Sequence, residues 1–433
     1  MAAGASVGQS TTVSTAAVGN RWMVAVAGVV MQLALGAVYG WSVFQKPLIK
    51  EFHWLLPEVT LTFTITIFVL GFAAFAGGLW MRKVGPRTVG LTAGALYGLG
   101  VFLAGYASNG LWELYLSYGV ISGIGIGLGY IVPVATLVKW FPDKRGFITG
   151  VAVAGFGAGA LITAPLATTL IQNVGVLSTF SILGVIYFIL VVGAALFMRN
   201  PPEGYRPAGW TPTAAQTAQR AARDLTLGEA LHKWQWYALW SLLFLNVIAG
   251  ISIISQAASM AQEITKVDAL TAAGFVGIIA IANASGRFLW AWLSDFIGRK
   301  WVFLVMFLLQ AVLFFLLPLT STFAIFTILA FTVVLCYGGG FGTMPAFATD
   351  YFGAKNVGPI YGLMLTAWGM GAVVGPLLIA NIKQSTGQYS SALYIIAAIM
   401  LVSAILPFIV RPPSATAPEG DTADVVRSAS LTR

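Results

Sequence analysis

The chain has 433 residues, of which 58% are hydrophobic and 9% charged, and its formal net charge is +9. Soluble proteins have about one quarter charged residues, so this composition excludes a soluble fold and favours a surface that faces lipid. The basic residues stand singly or in small clusters between long apolar segments, which excludes a nucleic-acid-binding patch and is typical of membrane topology.

Residues 1–20 are rich in Ala, Ser, Thr and Gly and contain no charged residue and no apolar core, so we predict a disordered N-terminal tail rather than a signal peptide. Beyond the tail, apolar segments recur that are long enough to cross a bilayer as a helix, which takes about twenty residues. The sequence predicts twelve such spans, at 22–44, 59–81, 88–107, 113–137, 146–171, 178–198, 236–258, 271–293, 301–319, 322–348, 357–380 and 391–410.

The longest polar stretch, rich in Pro, Ala, Gln and Arg, separates the sixth span from the seventh. The predicted organisation is therefore an N-terminal six-helix bundle at 21–198, a linker at 199–234, a C-terminal six-helix bundle at 235–411 and a disordered tail at 412–433. The linker has too few apolar residues to bury a core, and we expect in it only a short surface helix near 225–232.

The basic residues are distributed unequally over the two sides of the membrane. If the spans alternate in direction, only Lys46, Lys50, Lys266 and Lys383 fall on one side, Arg287 falls inside the eighth span, and all other Lys and Arg fall on the side of the termini. The positive-inside rule then predicts a multi-pass protein of the cell inner (plasma) membrane with both termini cytoplasmic.

The two halves also resemble each other, at an offset of about 212 residues. Three glycines of the first half have counterparts in the second, and a similar basic loop follows the second span of each half; the glycine pairs are Gly150 with Gly362, Gly157 with Gly369 and Gly159 with Gly371. Halves repeated in the same orientation imply a twofold axis along the membrane normal and a substrate site near the midplane, between the halves.

The loop at residues 294–300, with the sequence SDFIGRK, resembles the loop signature of the major facilitator superfamily. The resemblance implies the fold of that superfamily, an all-α membrane protein of two pseudo-symmetric six-helix bundles. It also implies a gating latch at Asp295 and Arg299, with Arg82 and Arg87 in the first-half loop. Arg82 stands where the family has an acid, so we expect the latch to act in one half only.

A narrower resemblance covers the chain from Arg21 to about Arg411. It depends on three runs, GAVYGWS at 36–42, KWFPDKRG at 139–146 and ANASGR at 282–287, which resemble the oxalate/formate antiporter family. That family includes bacterial relatives of the monocarboxylate transporters. The resemblance therefore implies the transport of small carboxylate anions.

Arg287 is the exception to the rule that ionisable residues here lie in loops or at helix ends. A cation at membrane depth costs about 2.5 kcal/mol or more, so such a residue usually faces a cavity and has a function. With no Asp or Glu in the interior of any span, its simplest partner is an anion from solution, and the planar guanidinium suits a carboxylate. The alternative is that Arg287 reaches the cytoplasmic interface and joins the latch through Asp295. Asn283, one helical turn earlier, either orients Arg287 and the anion or packs between helices.

The resemblance adds further candidates for a substrate-binding pocket. The matching arginine is the carboxylate ligand of the family, and aromatic pocket positions match Tyr39, Tyr130 and Tyr337, for which ordinary core packing is the alternative. Oxalate exchangers have a lysine in the eleventh span where this chain has Trp368. One cation should match one carboxylate, which favours lactate, pyruvate, formate or acetate over oxalate.

The sequence thus predicts a secondary active transporter of small monocarboxylates of the lactate/pyruvate type, working by alternating access with protons as the expected coupling ion. An oxalate/formate-type anion exchanger, a uniporter and a transporter-like carboxylate sensor are the alternatives. No nucleophile, base or ligand set lies at membrane depth, so neither an enzyme, a cofactor nor a metal site is predicted. The expected partners are the anion, protons and the lipid bilayer, with no nucleic acid. The protein is expected to be a monomer.

Overall fold

The fold is known from a computed structural model that describes residues 20–202, 205–207, 209, 225–353 and 356–412. All regular structure in these residues is helical, and twelve helices are long and apolar enough to cross a membrane. The predicted fold class and the count of twelve spans are therefore confirmed. The predicted disordered tails, 1–20 and 412–433, lie outside the described residues except for Asn20 and Pro412.

We number the membrane-crossing helices α1 to α12. Their bounds in chain order are Arg21–Gly40 continued by Ser42–Phe52, then Leu56–Val84, Pro86–Ala104, Leu111–Trp140, Arg145–Val174, Val176–Ala195, Trp234–Thr265, Ala269–Ile297, Arg299–Leu319, Phe323–Phe352, Val357–Thr386 and Ser390–Ile409. Because their number is even, the start of α1, the linker after α6 and the end of α12 share one side. We call this side the linker face and the other side the opposite face.

Two helices are clearly longer than the apolar pattern predicted. α1 was expected to end at residue 44 and reaches Phe52, and α7 was expected to end at residue 258 and reaches Thr265. The added turns contain Gln45, Lys46 and Gln262, which hydropathy reads as loop. They remain helical because they lie at the contact between the two bundles, where Lys46 donates a hydrogen bond to Gln262.

A short helix, Leu227–Leu231, precedes α7 within the stretch 225–232 where one was predicted. It begins with a capping box in which the Thr226 hydroxyl accepts from the amide of Glu229 and the Glu229 carboxylate accepts from the amide of Thr226. The amide of Leu225 donates to the carbonyl of Phe352, which ties the linker to the end of α10. The other predicted linker residues at 203–204, 208 and 210–224 lie outside the described residues.

The two bundles, α1–α6 and α7–α12, meet through equivalent helix pairs. α5 packs against α8, and its repeat counterpart α11 packs against α2. Gly157 of α5 faces α8 while Gly369 of α11 faces α2, and Gly159 of α5 faces α1 while Gly371 of α11 faces α7. The glycines that suggested the repeat thus occupy corresponding helix contacts, as a twofold arrangement of similar halves requires.

Within the second bundle, α8 and α10 cross with their backbones in contact. A Cβ atom added to Gly342 would lie 2.0 Å from the carbonyl oxygen of Arg287, and one added to Gly338 would lie 2.2 Å from that of Asn283. Small residues permit such close helix crossings in membranes, where dispersion contacts replace the hydrophobic effect. The crossing therefore fixes the depth of two polar residues on α8.

Candidate substrate-binding site

Arg287 lies on α8 close to the middle of the membrane-crossing region, and its side chain is only 2% exposed. Its Nε donates to Oδ1 of Asn283 over 3.3 Å, whereas Nη1 and Nη2 are buried without a hydrogen-bond partner. No described Asp or Glu forms an ion pair with it; the four ion pairs found all involve other residues. The guanidinium is therefore a desolvated cation that protein groups satisfy only in part.

Aromatic rings from both bundles surround this cation. Phe341 of α10 lies beneath the guanidinium, with 5.1 Å between its ring centroid and Cζ. Trp368 of α11 packs against Phe341 at 4.9 Å and against Tyr130 of α4 and Phe156 of α5, each at 5.5 Å between centroids. These rings exclude water from the site, and the face of Phe341 partly stabilises the positive charge.

Among the described residues, a single hydrogen bond crosses between the bundles at this depth. The hydroxyls of Tyr39 on α1 and Tyr337 on α10 lie 2.8 Å apart, and both side chains are buried. Their rings also pack edge to face, and the ring of Tyr39 contacts that of Trp368. The site is thus assembled from both halves, so a relative movement of the halves must change it.

The unpaired buried groups of the site are all hydrogen-bond donors. They are Nη1 and Nη2 of Arg287, Nδ2 of Asn283 and Nε1 of Trp368. Buried polar groups in folded proteins are nearly always paired, so each exception needs a partner of its own. A set made of donors alone, one of them a cation, suits an anion with several acceptor oxygens.

A small cavity adjoins the site. It has a volume of about 10 Å³, roughly that of one water-sized sphere, and Tyr39 and Asn283 contribute to its wall. The other lining residues are apolar: Gly157, Ala160, Ile254, Val276, Ile279, Ala280 and Val334. The arrangement therefore combines a polar, cationic end with an apolar one.

The structure brings together all six residues that sequence reasoning proposed for substrate binding, namely Arg287, Asn283, Tyr39, Tyr130, Tyr337 and Trp368. Sequence reasoning missed Phe156 and Phe341, which complete the ring cluster. Single phenylalanines in apolar helices have no signal that separates them from lipid-facing ones. The position of Phe341 within the run Gly338–Gly342 is the one available sign, because helices approach closely there.

The residues proposed for a latch fall into two groups. Arg299 pairs with Asp295, with 2.5 Å between Nη1 and Oδ1, and with Asp350 at the end of α10, with 3.1 Å between Nε and Oδ2. Arg82 and Arg87 are exposed and form no ion pair among the described residues. These ion pairs thus join α8, α9 and α10 in the second bundle.

The first bundle has a different ion pair on the linker face, which sequence reasoning did not propose. Both terminal nitrogens of Arg21, at the start of α1, donate to the carboxylate of Asp143 over 2.8 and 3.1 Å. Partial burial acts to raise the pKa of Asp143, but the hydrogen bonds and charge of Arg21 outweigh it and hold that pKa below its usual range. Asp143 belongs to the run KWFPDKRG, whose Trp140 also donates to the carbonyl of Arg199.

Apart from Tyr39 and Tyr337, all hydrogen bonds found between the described parts of the two bundles lie toward the opposite face. Most involve a buried set that we call the opposite-face belt, made of Ser42, Gln45, Thr60, Gln256 and Ser259. Gln256 donates to Thr60 over 3.0 Å, and Ser259 donates to Gln45 over 3.2 Å. On the linker face the described helices of the two bundles share no hydrogen bond or ion pair, so separation there breaks none.

The model of the Major Facilitator Superfamily matches residues 12–294 and 242–432 of the chain. The uncharacterized MFS-type transporter YhjX of Escherichia coli (strain K12) is 30% identical over 360 residues, which cover 82% of this chain and 86% of that one. The oxalate:formate antiporter of Oxalobacter formigenes is 27% identical over 410 residues, covering 92% and 94%. Monocarboxylate transporter 13 of Rattus norvegicus is 26% identical over 400 residues, covering 88% and 87%.

Among solved structures, the chain is similar to a bacterial homolog of the human lysosomal transporter Spinster, determined in an inward-facing and unoccupied conformation. The TM-score is 0.69, and the match covers 90% of this chain and 96% of that one. Because the sequences are only 15% identical, this likeness concerns the fold alone.

Proposed function

The chain belongs to the major facilitator superfamily, and we propose that it is a secondary transporter of small monocarboxylate anions that works by alternating access. The observation that carries the proposal is Arg287, a buried cation with two unpaired terminal nitrogens and no acidic partner among the described residues. A carboxylate placed there accepts two parallel hydrogen bonds and neutralises the charge. The transported anion then provides the negative charge that pairs with Arg287.

The preference for one carboxylate follows from the charges around the site. Arg287 is the only Lys or Arg in the ring cluster, and Trp368 occupies the position where the oxalate exchangers were expected to have a second cation. A second carboxylate would remain unpaired next to aromatic rings, which is costly at low dielectric. Relatives that are named for monocarboxylates and for oxalate and formate support a carboxylate in general.

Alternating access follows from where the bundles are joined. The opposite-face belt consists of neutral side chains, each of which exchanges a protein partner for water when the face opens. A hydrogen bond of this kind contributes about 0.5–1.5 kcal/mol net, so the belt holds that face shut without making the closure permanent. We infer that the linker face is cytoplasmic and that both termini lie there, in the inner membrane, because the basic residues concentrate on it.

Energy coupling has two candidate forms. The described membrane-crossing helices place no carboxylate near Arg287, so a proton would travel with the acid or through the tyrosine hydroxyls, as symport requires. Exchange of one anion for another is the second candidate, favoured by the similarity to an oxalate:formate antiporter. A carboxylate sensor with the same site would bind the anion without moving it.

The direct test is uptake of labelled lactate by the purified protein in proteoliposomes. We expect saturable uptake that is lost in Arg287→Ala and strongly reduced in Arg287→Lys, because the ammonium lacks the planar fork. Arg82→Ala is the matched control, since Arg82 is exposed and has no ion pair among the described residues. A parallel panel of acetate, pyruvate and oxalate as competitors separates one carboxylate from two.

Each result decides between candidates. Uptake driven by an acidic exterior supports proton symport, whereas uptake that needs an internal carboxylate supports exchange. Binding without uptake would favour the sensor. Oxalate competing better than pyruvate would overturn the choice of monocarboxylates, and unchanged uptake in Arg287→Ala would refute the proposal itself.

A further inference from the structure

The apolar cavity beside Arg287 has a definite position in the fold. Ile254 of α7, Val276 and Ala280 of α8, and Val334 of α10 all come from the half of their helix that is nearer the opposite face. Tyr39 and Asn283, the two lining residues with polar side chains, lie near the middle of α1 and α8. The cavity therefore lies on the opposite-face side of the site, with its only polar wall toward Arg287.

Side-chain direction brings the guanidinium to that polar wall. Side chains on a helix lean toward its N-terminus, and the N-terminus of α8 is at the opposite face. Arg287 accordingly reaches back one turn, where its Nε meets Oδ1 of Asn283. Ala280 lies seven residues before Arg287, which is about 10 Å of helix, and the lean of the arginine side chain shortens that separation.

We propose that this cavity, lined by Ala160, Ile254, Val276, Ile279 and Ala280, receives the hydrocarbon tail of the acid whose carboxylate Arg287 binds, and that it sets the tail length accepted. The inference rests on the proposed function and deepens it. Phe341 packs against the guanidinium and Trp368 packs against Phe341, so these rings already fill space beside the cation, whereas the cavity is open and apolar. Its volume suits one methyl-sized group, which selects acids of two to three carbons.

Two opposite changes of cavity size test the proposal. Ala280→Val fills the cavity, with Ala160→Val from α5 as the second variant if the first fails to fold. Ile254→Ala enlarges it by removing three carbons. The controls are Ala95→Val on α3 and Ile281→Ala on α8, both at exposed positions outside the cavity.

The measurement is inhibition of labelled acetate uptake in proteoliposomes by the unbranched series of formate, acetate, propionate, butyrate and pentanoate. In the filled variants we expect propionate and longer acids to lose tenfold or more in apparent affinity, while formate changes by less than twofold. In Ile254→Ala, each further methylene up to pentanoate should improve affinity by about fourfold, the value for burying one CH₂. The two exposed controls should retain the wild-type order.

The outcomes separate this inference from the proposed function. A chain-length order that stays the same in both the filled and the enlarged variants, with acetate still transported, would overturn the tail cavity and leave Arg287 as the anion site. Equal losses for every acid in the filled variants, with no gain for long acids in Ile254→Ala, would also overturn it. A wild-type protein that transports lactate but none of the five acids would overturn this inference alone, and one that transports neither lactate nor any of the five would overturn the monocarboxylate proposal as well.

Discussion

The substitution Gly342→Ala tests whether the crossing of α8 and α10 holds Arg287 in place. The added Cβ would stand 2.0 Å from the carbonyl oxygen of Arg287, whereas ordinary contact begins at 3.4 Å. The helices must therefore separate by about 1.4 Å at the crossing. That carbonyl belongs to a continuous helix and cannot move alone, so Arg287 and Asn283 move together relative to Phe341 on the other helix.

Overpacking of this kind costs about 1–3 kcal/mol of stability. We expect Gly342→Ala to lower the melting temperature of the detergent-purified protein. We also expect it to weaken carboxylate binding by about tenfold, which is about 1.4 kcal/mol, because the paired hydrogen bonds of a guanidinium require alignment. Differential scanning fluorimetry and competition for labelled lactate measure the two effects.

The matched control is Gly274→Ala, also on α8, where a Cβ would meet nothing within 4 Å. It should keep wild-type affinity and gain slightly in stability, since alanine favours the helix more than glycine does. Wild-type melting and wild-type affinity in Gly342→Ala would refute the argument that direct backbone contact positions the site.

Three further predictions concern the faces of the protein. The pKa of Asp143 is held low in the folded state, so its pair with Arg21 stabilises the protein above the unfolded pKa of about 3.9, and this stabilisation is lost as the pH falls below that value. The melting temperature of the wild type should therefore drop more between pH 5 and pH 3 than that of Asp143→Asn. Equal drops in the two proteins would contradict this. Arg299→Ala should slow uptake while leaving substrate affinity within twofold, because it frees the ends of three helices far from the ring cluster. Arg82→Ala, the control, should change neither the uptake rate nor the affinity. An affinity loss in Arg299→Ala equal to that of Arg287→Ala would contradict this. Gln256→Leu removes a belt hydrogen bond and should therefore open the opposite face more often. A cysteine introduced at that face should then be labelled faster than the same cysteine in a protein that keeps Gln256. Equal labelling rates in the two proteins would contradict this.

The membrane-crossing pattern was predictable because lipid leaves few choices. Backbone groups inside a bilayer must form their hydrogen bonds within a helix, so a run of about twenty apolar residues predicts a membrane-crossing helix. That reasoning failed where protein replaces lipid. The last turns of α1 and α7 are polar and helical because Gln45 accepts from Ser259, and Gln262 from Lys46, across the bundle interface. No hydropathy pattern reports such a partner.

The candidate site was predictable to different degrees. Arg287 and Asn283 could be paired from their four-residue spacing alone, because helix geometry sets their separation. Trp368 could be placed only through the resemblance to a family, since its ring meets residues more than two hundred positions away. The cavity could not be predicted at all, because its walls come from five helices whose relative positions depend on packing.

The belt and the site together suggest how cargo and conformation are linked. The belt is neutral, and each of its hydrogen bonds contributes only about 0.5–1.5 kcal/mol net because water replaces the partner on opening, so the belt opposes opening to a moderate degree. Arg287 is different, because without an anion it is a desolvated charge whenever the halves close around it. Binding a carboxylate removes most of that penalty only in the closed arrangement, where water is excluded. Under the proposed function, the anion therefore favours the closed intermediate through which the halves must pass, and the same lone cation accounts for both recognition and movement.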